Sequence, residues 1–334
     1  MKTADRLAGS PAREESAGGI ATAPILVVIG PTAVGKSAFA LMACARFGGE
    51  LVSVDSVQVY RGLDRGTSKP GDDELRGAPH HGIDLAGPER DFSLGEFVRT
   101  AERAIREIRA RGRLPVLVGG TGLYLRGLLK GIIEAPGRDE VLRARLRAIG
   151  ARRGAPFLHR MLERVDPDAA RRLGPNDRQR VGRALEVFFA ARRGISEMIR
   201  ESPFGTDHYR AVKIGLGMKR EILYRRIDDR VLRFFASGLV AEVRDLLAAG
   251  CPESANAFKA LGYKETLRHL RGEITVEEAI ALTQRNTRRY AKRQLTWFRK
   301  EEGVAWFDID PSREDPFGEP LAHADLALGR RESD

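Results

Sequence analysis

An eight-residue stretch, Gly30-Pro31-Thr32-Ala33-Val34-Gly35-Lys36-Ser37, constrains this chain more than any other. It fits the pattern GxxxxGK[ST] and follows a continuous apolar run, Ile25-Leu26-Val27-Val28-Ile29, suited to a buried parallel strand. After it, Ala38, Leu41, Met42 and Ala45 recur at helical spacing until Gly48-Gly49. Between a strand and a helix, such a loop turns its backbone N–H groups around phosphate oxygens, and the helix N-terminus adds partial positive charge. All eight residues are candidate phosphate-binding positions. Lys36 offers a point charge, and the Ser37 hydroxyl is the candidate ligand for Mg²⁺.

The strand–loop–helix unit repeats in outline. Leu51-Val52-Ser53-Val54 forms a second strand that runs into Asp55. Ser93 and Glu96 have capping-box spacing ahead of an apolar helical stripe at Phe97, Ala101, Ala104, Ile105 and Ile108. Pro115-Val116-Leu117-Val118 predicts another buried strand, leading into Gly119-Gly120-Thr121-Gly122. Alternating strands and helices predict an α/β fold, a P-loop parallel-sheet core. From about residue 134 arginine-rich helical patterns replace β-type runs, and alternation returns at Val212, Ile214 and Leu216. The expected organisation is a leader over 1–23, a first core part over 24–133, and a helical insertion domain over 134–208. The second core part, with C-terminal helices, covers 209–310, and a flexible tail covers 311–334. The leader lacks the apolar stretch of a signal peptide and reads as disordered.

In a parallel sheet, ligands collect at the carboxyl ends of strands, so Asp55 and the phosphate loop should share one cleft. Asp55 there could ligate Mg²⁺ through water, take a proton from an acceptor, or simply cap the following turn. Thr121, at another strand end, has the same choice between turn chemistry and substrate contact. A nucleotide-driven motor would carry an acid at the end of Val116-Leu117-Val118, and this chain has glycines instead. The formal net charge of +11 suits a polyanionic partner. Arg178, Arg180 and Arg183, and the cluster Arg285, Arg288, Arg289, Lys292 and Arg293 with Tyr290, Trp297 and Phe298, read either as solvated faces and core or as RNA contacts. Two cysteines, Cys44 and Cys251, match no metal or disulfide pattern and point to a reducing compartment. No apolar run reaches the length of a membrane span, so a cytoplasmic protein with no membrane partner is expected.

The motifs GPTAVGKS, SVDSVQVYRGLDRGTSKP, APHHGID, LVGGTGLYLRGLL, PNDRQRVGRALEVF, LGYKE and RYAKRQLTWF occur in that order. Together they resemble the tRNA dimethylallyltransferases, and the resemblance covers roughly residues 25–308. It implies transfer of a dimethylallyl group from dimethylallyl diphosphate to N6 of the adenosine just 3′ of the anticodon, with Mg²⁺ as cofactor. It also implies a P-loop core with a helical insertion and a channel in which tRNA and prenyl diphosphate meet. On this resemblance Thr32, Lys36 and Ser37 bind the diphosphate, Asp55 is the general base, Thr121 contacts the acceptor, and Arg230 serves donor binding and catalysis. Asp55, Ser56, Val57, Gln58, Thr121, Arg143, Gln179, Arg180, Val181, Gly182 and Arg183 match positions that touch the tRNA anticodon stem-loop. Lys259 stands where the family often has Gln. The expected protein is a monomer. The rival readings are a P-loop small-molecule or nucleotide kinase and a non-catalytic RNA-binding module.

Overall fold

The computed structural model describes residues 23–133, 135–201 and 207–329. The leader expected over 1–23 lies outside them except for its last residue. The described residues fall into two compact units, one formed by residues up to 128 together with those from 208 onward, the other by residues 129–207.

The first unit is built on a six-stranded sheet, β1 (Ile25–Ile29), β2 (Gly49–Val54), β3 (His80–His81), β4 (Leu114–Gly119), β5 (Ala211–Gly217) and β6 (Val304–Asp308). Every pairing is parallel, in the order β3-β2-β4-β1-β5-β6. Hydropathy explains the order. β1 is buried at every position and sits between β4 and β5, with Val27 opposite Leu117 on one side and Lys213 on the other. β6 is only partly buried and occupies an edge. Helices Lys36–Phe47 and Leu94–Ala110 connect the strands, and the second opens with the capping box read from Ser93 and Glu96. Ser93 Oγ accepts from the Glu96 N–H at 3.2 Å, and Glu96 Oε2 accepts from the Ser93 N–H at 2.9 Å. Helices Arg220–Ala236 and Val276–Phe298 complete the surroundings of the site.

Residues 312–329 depart from the flexible tail expected over 311–334, and the last five lie outside the described residues. Gly318–Leu328 is a helix, and Phe317, Leu321, Ala324 and Leu328 are buried in the main core beside Phe39 and Phe47. Those four positions form one helical stripe. The flanking glycine and acidic residues conceal it in a reading that weighs composition, whereas burial depends on the spacing alone. Phe317 meets Phe39 edge-on at 5.7 Å.

The second unit is helical, with Glu140–Arg153, Ala155–Val165, Pro167–Arg172, Arg178–Ala191 and Ile195–Glu201. Leu146, Leu158, Leu162, Val181, Ala184 and Leu185 form its own core. Asp177 caps the fourth helix by accepting from the Arg180 N–H at 3.1 Å. The unit begins at residue 129, five residues before the expected boundary.

Candidate active site

The loop after β1 needs backbone freedom that its sequence supplies. Gly30 has φ +147°, and a Cβ there would meet the Leu216 carbonyl oxygen at 2.4 Å. Ala33 adopts φ +67°, a left-handed conformation uncommon outside glycine. Val34 is core, and the Pro31 carbonyl turns inward to accept from Lys36 Nζ at 2.8 Å. Two arginines one turn apart on helix Arg220–Ala236 brace the loop. Arg226 donates from Nε to Ala33 O at 2.9 Å, and Arg230 donates from Nη1 to Thr32 Oγ1 at 3.1 Å. Ser37, at the start of helix Lys36–Phe47, faces the cavity described below.

At the end of β2, Asp55 Oδ1 accepts from the N–H groups of Val57 at 2.8 Å and Gln58 at 3.2 Å. The turn-capping role and a catalytic role are therefore compatible, because these bonds use one oxygen and leave Oδ2 without a hydrogen bond among the described residues. At the end of β4, Thr121 Oγ1 accepts from the Ser56 N–H at 3.2 Å, which ties the two strand ends together. Gly120 is small for a reason: a Cβ would lie 2.1 Å from Gln294 Nε2. That amide donates to Gly120 O at 3.0 Å while its Oε1 accepts from the Thr32 N–H at 2.8 Å. Gln294 thus joins the phosphate loop to the β4 loop through a single buried side chain.

These residues surround two adjoining cavities. The larger, about 500 Å³, is lined by Thr32, Lys36, Ser37, Asp55, Arg226 and Arg230 among others. The second, about 340 Å³, combines an apolar wall of Ile227, Val231, Phe234 and Leu261 with Thr283, Thr287 and Arg293. Thr32, Asp55, Thr67, Arg230 and Tyr290 line both. The electrostatics are unusual at the larger cavity. Burial, reinforced by the Arg230 cation, lowers Lys36 to about 7 against a partial opposing pull from Asp55. Burial also brings Arg230 down to about 10, again opposed by Asp55. Neither cation has a carboxylate within ion-pair distance among the described residues. Two desolvated cations facing one cavity are costly by themselves and suit a multiply charged anion.

The expected site residues thus divide. Thr32, Lys36, Ser37, Asp55 and Arg230 gather at the cavities, and Ser56 and Val57 line the smaller one. Thr121 touches Ser56 immediately beside them. Gln58 also lines the larger cavity, yet its amide is fully engaged: Ser53 Oγ donates to its Oε1 at 2.8 Å, and its Nε2 donates to Thr67 O and Ser68 O at 3.1 and 2.9 Å. Gln58 therefore fastens the 67–68 turn to β2 and offers a ligand no free amide donor. Lys259 rims the smaller cavity and hydrogen-bonds to the Asn256 side chain.

In the helical unit, Val181 needs correction as a contact residue, because it is 1% exposed and belongs to the unit's core. It lies on the inward side of the same turn that exposes Gln179 and Arg180. Gly182 has open space where a Cβ would stand. Arg143 and Arg183 both approach Glu186 Oε2, at 3.3 and 3.1 Å, and Glu186 is buried. Arg183 also donates to Pro136 O at 2.7 Å, and Arg180 pairs with Asp177.

Sequence motifs gave Gln294, Arg226 and Thr67 no role at the site and left Tyr290 open between core and RNA contact. The signal for two of them was present: 283, 287, 290 and 294 fall on one face of the helix Val276–Phe298, and that face lines the cavities.

Comparison with known proteins gives a consistent picture. The family model described as IPP transferase matches residues 58–301. The chain is 47% identical over 284 residues to the tRNA dimethylallyltransferase of Geobacter metallireducens, covering 85% of this chain and 92% of that protein. It is 49% identical over 283 residues to that of Solibacter usitatus, covering 85% and 92%. Among solved structures, the full-length tRNA isopentenylpyrophosphate transferase of Bacillus halodurans is similar with 40% identity and a TM-score of 0.68, covering 92% of this chain and 97% of that one. A eukaryotic dimethylallyltransferase captured acting on tRNA is similar with 27% identity and a TM-score of 0.80, covering 94% and 81%.

Proposed function

The chain belongs to the IPP transferase family, the tRNA dimethylallyltransferases, and we propose that it transfers a dimethylallyl group from dimethylallyl diphosphate to N6 of the adenosine 3′-adjacent to the anticodon, releasing diphosphate. One observation carries this reading at the level of chemistry. Lys36 and Arg230, both desolvated and without a carboxylate partner among the described residues, face a cavity that also presents the Asp55 carboxylate. The cations suit the diphosphate, and the carboxylate suits the amine.

An exocyclic adenine amine is a weak nucleophile because its lone pair is delocalised into the ring. Asp55 takes the N6 proton as the nitrogen attacks the first carbon of the allyl group. The new N–C bond forms, the C–O bond to the diphosphate breaks, and its electron pair stays on the departing oxygen. Lys36, Arg230 and the loop N–H groups stabilise that growing charge. The Thr32 N–H is engaged by Gln294, so the later residues of the loop supply the amides. The Ser37 hydroxyl is a hard oxygen donor that lines the larger cavity, and no cluster of three His, Cys, Asp or Glu side chains exists among the described residues. That donor fits Mg²⁺ held by a protein oxygen and the phosphates, where it would neutralise phosphate charge. The adenosine must leave its stack to reach the junction of the cavities, at a cost of a few kcal/mol.

Thr121, Ser56 and Val57 would meet the acceptor nucleotide, and Arg143, Gln179, Arg180, Gly182 and Arg183 would meet the anticodon stem-loop. No helix among the described residues is long and apolar enough to cross a membrane, and an RNA substrate fits action in the cytoplasm. The test is a reaction containing the protein, Mg²⁺, labelled dimethylallyl diphosphate and unmodified tRNA with adenosine after the anticodon. Label on N6 of that adenosine is the expected product. Phosphate transfer from ATP to a small acceptor, with no label in RNA, would instead identify a kinase.

A further inference from the structure

Five residues line both cavities, and four of them have assignments: Thr32 and Arg230 at the phosphates, Asp55 at the amine, and Thr67, whose Oγ1 donates to Leu63 O at 2.7 Å. The fifth is Tyr290. Its ring projects from helix Val276–Phe298 one turn before Gln294, the residue that joins the phosphate loop to the β4 loop. Its hydroxyl lies near the Thr121 and Gln294 side chains, forms no hydrogen bond with either among the described residues, and feels the Asp55 charge. The Arg293 guanidinium lies over its ring, 5.7 Å from the centroid. Lining both cavities, this phenol stands at the boundary between the phosphate end and the acceptor end, where a bond between a diphosphate oxygen and an allyl carbon would have to break.

We propose that Tyr290 is a further catalytic residue, whose hydroxyl donates a hydrogen bond to the diphosphate oxygen from which the allyl group departs. The inference rests on the prenyl-transfer reading above. In the step, the N6–C bond forms, the C–O bond breaks with its electrons going to the diphosphate oxygen, and the N6 proton passes to Asp55. Tyr290 keeps its own proton throughout and only shares it with the oxygen that becomes more negative. Burial first, and the Asp55 charge second, push the phenol up to about 12, which preserves it as a neutral donor over the working pH range. A neutral O–H also complements the two cations, because its donation strengthens as charge develops rather than holding the ground state equally tightly.

The test is Tyr290→Phe in the full-length protein, which removes one oxygen and keeps the ring. The expected result is a fall of about 100-fold in kcat, with the KM values for donor and tRNA nearly unchanged and the melting temperature retained. Inorganic diphosphate carries the freed oxygen, so its inhibition constant should weaken in the variant while tRNA affinity stays constant. Unchanged turnover overturns the proposal. So does a loss that appears in tRNA affinity with diphosphate inhibition intact, which would move the hydroxyl to the acceptor, or a loss that tracks a lower melting temperature. Wild-type protein that fails to prenylate tRNA would defeat the underlying reading instead, so the two failures are distinguishable.

Discussion

Two cations at the larger cavity of the sheet-bearing unit, Lys36 and Arg230, are handled differently from the arginines of the helical unit, and also from their cavity neighbour Lys69, which pairs with Asp64 and Asp84. At the larger cavity Lys36 and Arg230 are desolvated, their partners are a carbonyl and a hydroxyl, and burial lowers both pKa values. In the helical unit Arg143, Arg147, Arg180, Arg183 and Arg193 each lie beside a carboxylate, mostly within one or two turns of the same helix. The exposed pairs among them, such as Arg147–Glu140 and Arg193–Glu197, are worth about 0–1 kcal/mol each, whereas Arg143 and Arg183 compensate the buried Glu186. The sequence has abundant arginine in both places, so arginine count says nothing about where chemistry happens. Burial without a counter-charge does, because the fold sustains that cost only where a ligand relieves it.

Replacing a cavity cation should therefore have a large effect. Lys36→Met is expected to lower turnover about 100- to 1,000-fold at saturating tRNA. The wild-type protein should also bind donor less tightly as pH rises through about 7, because free Lys36 loses its proton there and the diphosphate favours the charged form. Calorimetry in buffers of different ionisation enthalpy should register proton uptake on donor binding above pH 7, and the variant should lose it. The sign for folding is the reverse. The unfolded chain holds this proton up to about 10.5 and the folded chain only to about 7, so Lys36 makes stability rise with pH across that window. A donor affinity that is flat in pH would place the loop cation outside the desolvated site and break the contrast.

A second effect sharpens the contrast from the side of packing. Phe317→Ala should destabilise the protein by about 3 kcal/mol in a denaturant melt, since its ring fills space against Phe39 and the phosphate loop at Gly35. An unchanged melt would detach the C-terminal helix from the core. The smallest effect belongs to the helical unit. Arg143→Gln should weaken tRNA binding several-fold and reduce the slope of log affinity against log salt by about 1, leaving the donor KM unchanged. A change in donor KM would contradict the division of labour between the units.

Much of this was legible in the sequence because it rests on local pattern. The strand–loop–helix around Lys36, the Asp55 strand end and the Ser93 capping box each need only a few adjacent residues. The parallel sheet also followed, since β1 and β4 are continuous apolar runs. What escaped depends on distant partners. Gln294 gains its role from the Thr32 N–H, 262 residues away in the chain, and from Gly120 O. Gln58 resembles a contact residue until its amide is seen to be engaged with Ser53, Thr67 and Ser68. Val181 sits among arginines in sequence but faces inward by helical geometry. The β6 edge strand is short, and the helix Gly318–Leu328 carries apolar residues on its exposed side as well, such as Leu326, so both become clear only when the sheet and core they complete are present.

The central claim is that Asp55 accepts the amine proton where the two cavities meet, while its turn-capping oxygen keeps the loop in place. Asp55→Asn tests both halves, because Asn retains the Oδ1 acceptor used by Val57 and Gln58 and removes only the base. Turnover and equilibrium tRNA binding should be measured on the same preparation. The account predicts a loss of turnover of about 1,000-fold with tRNA and donor affinities retained. An Asn variant that prenylates at the wild-type rate, or one that loses tRNA affinity in step with turnover, would contradict it.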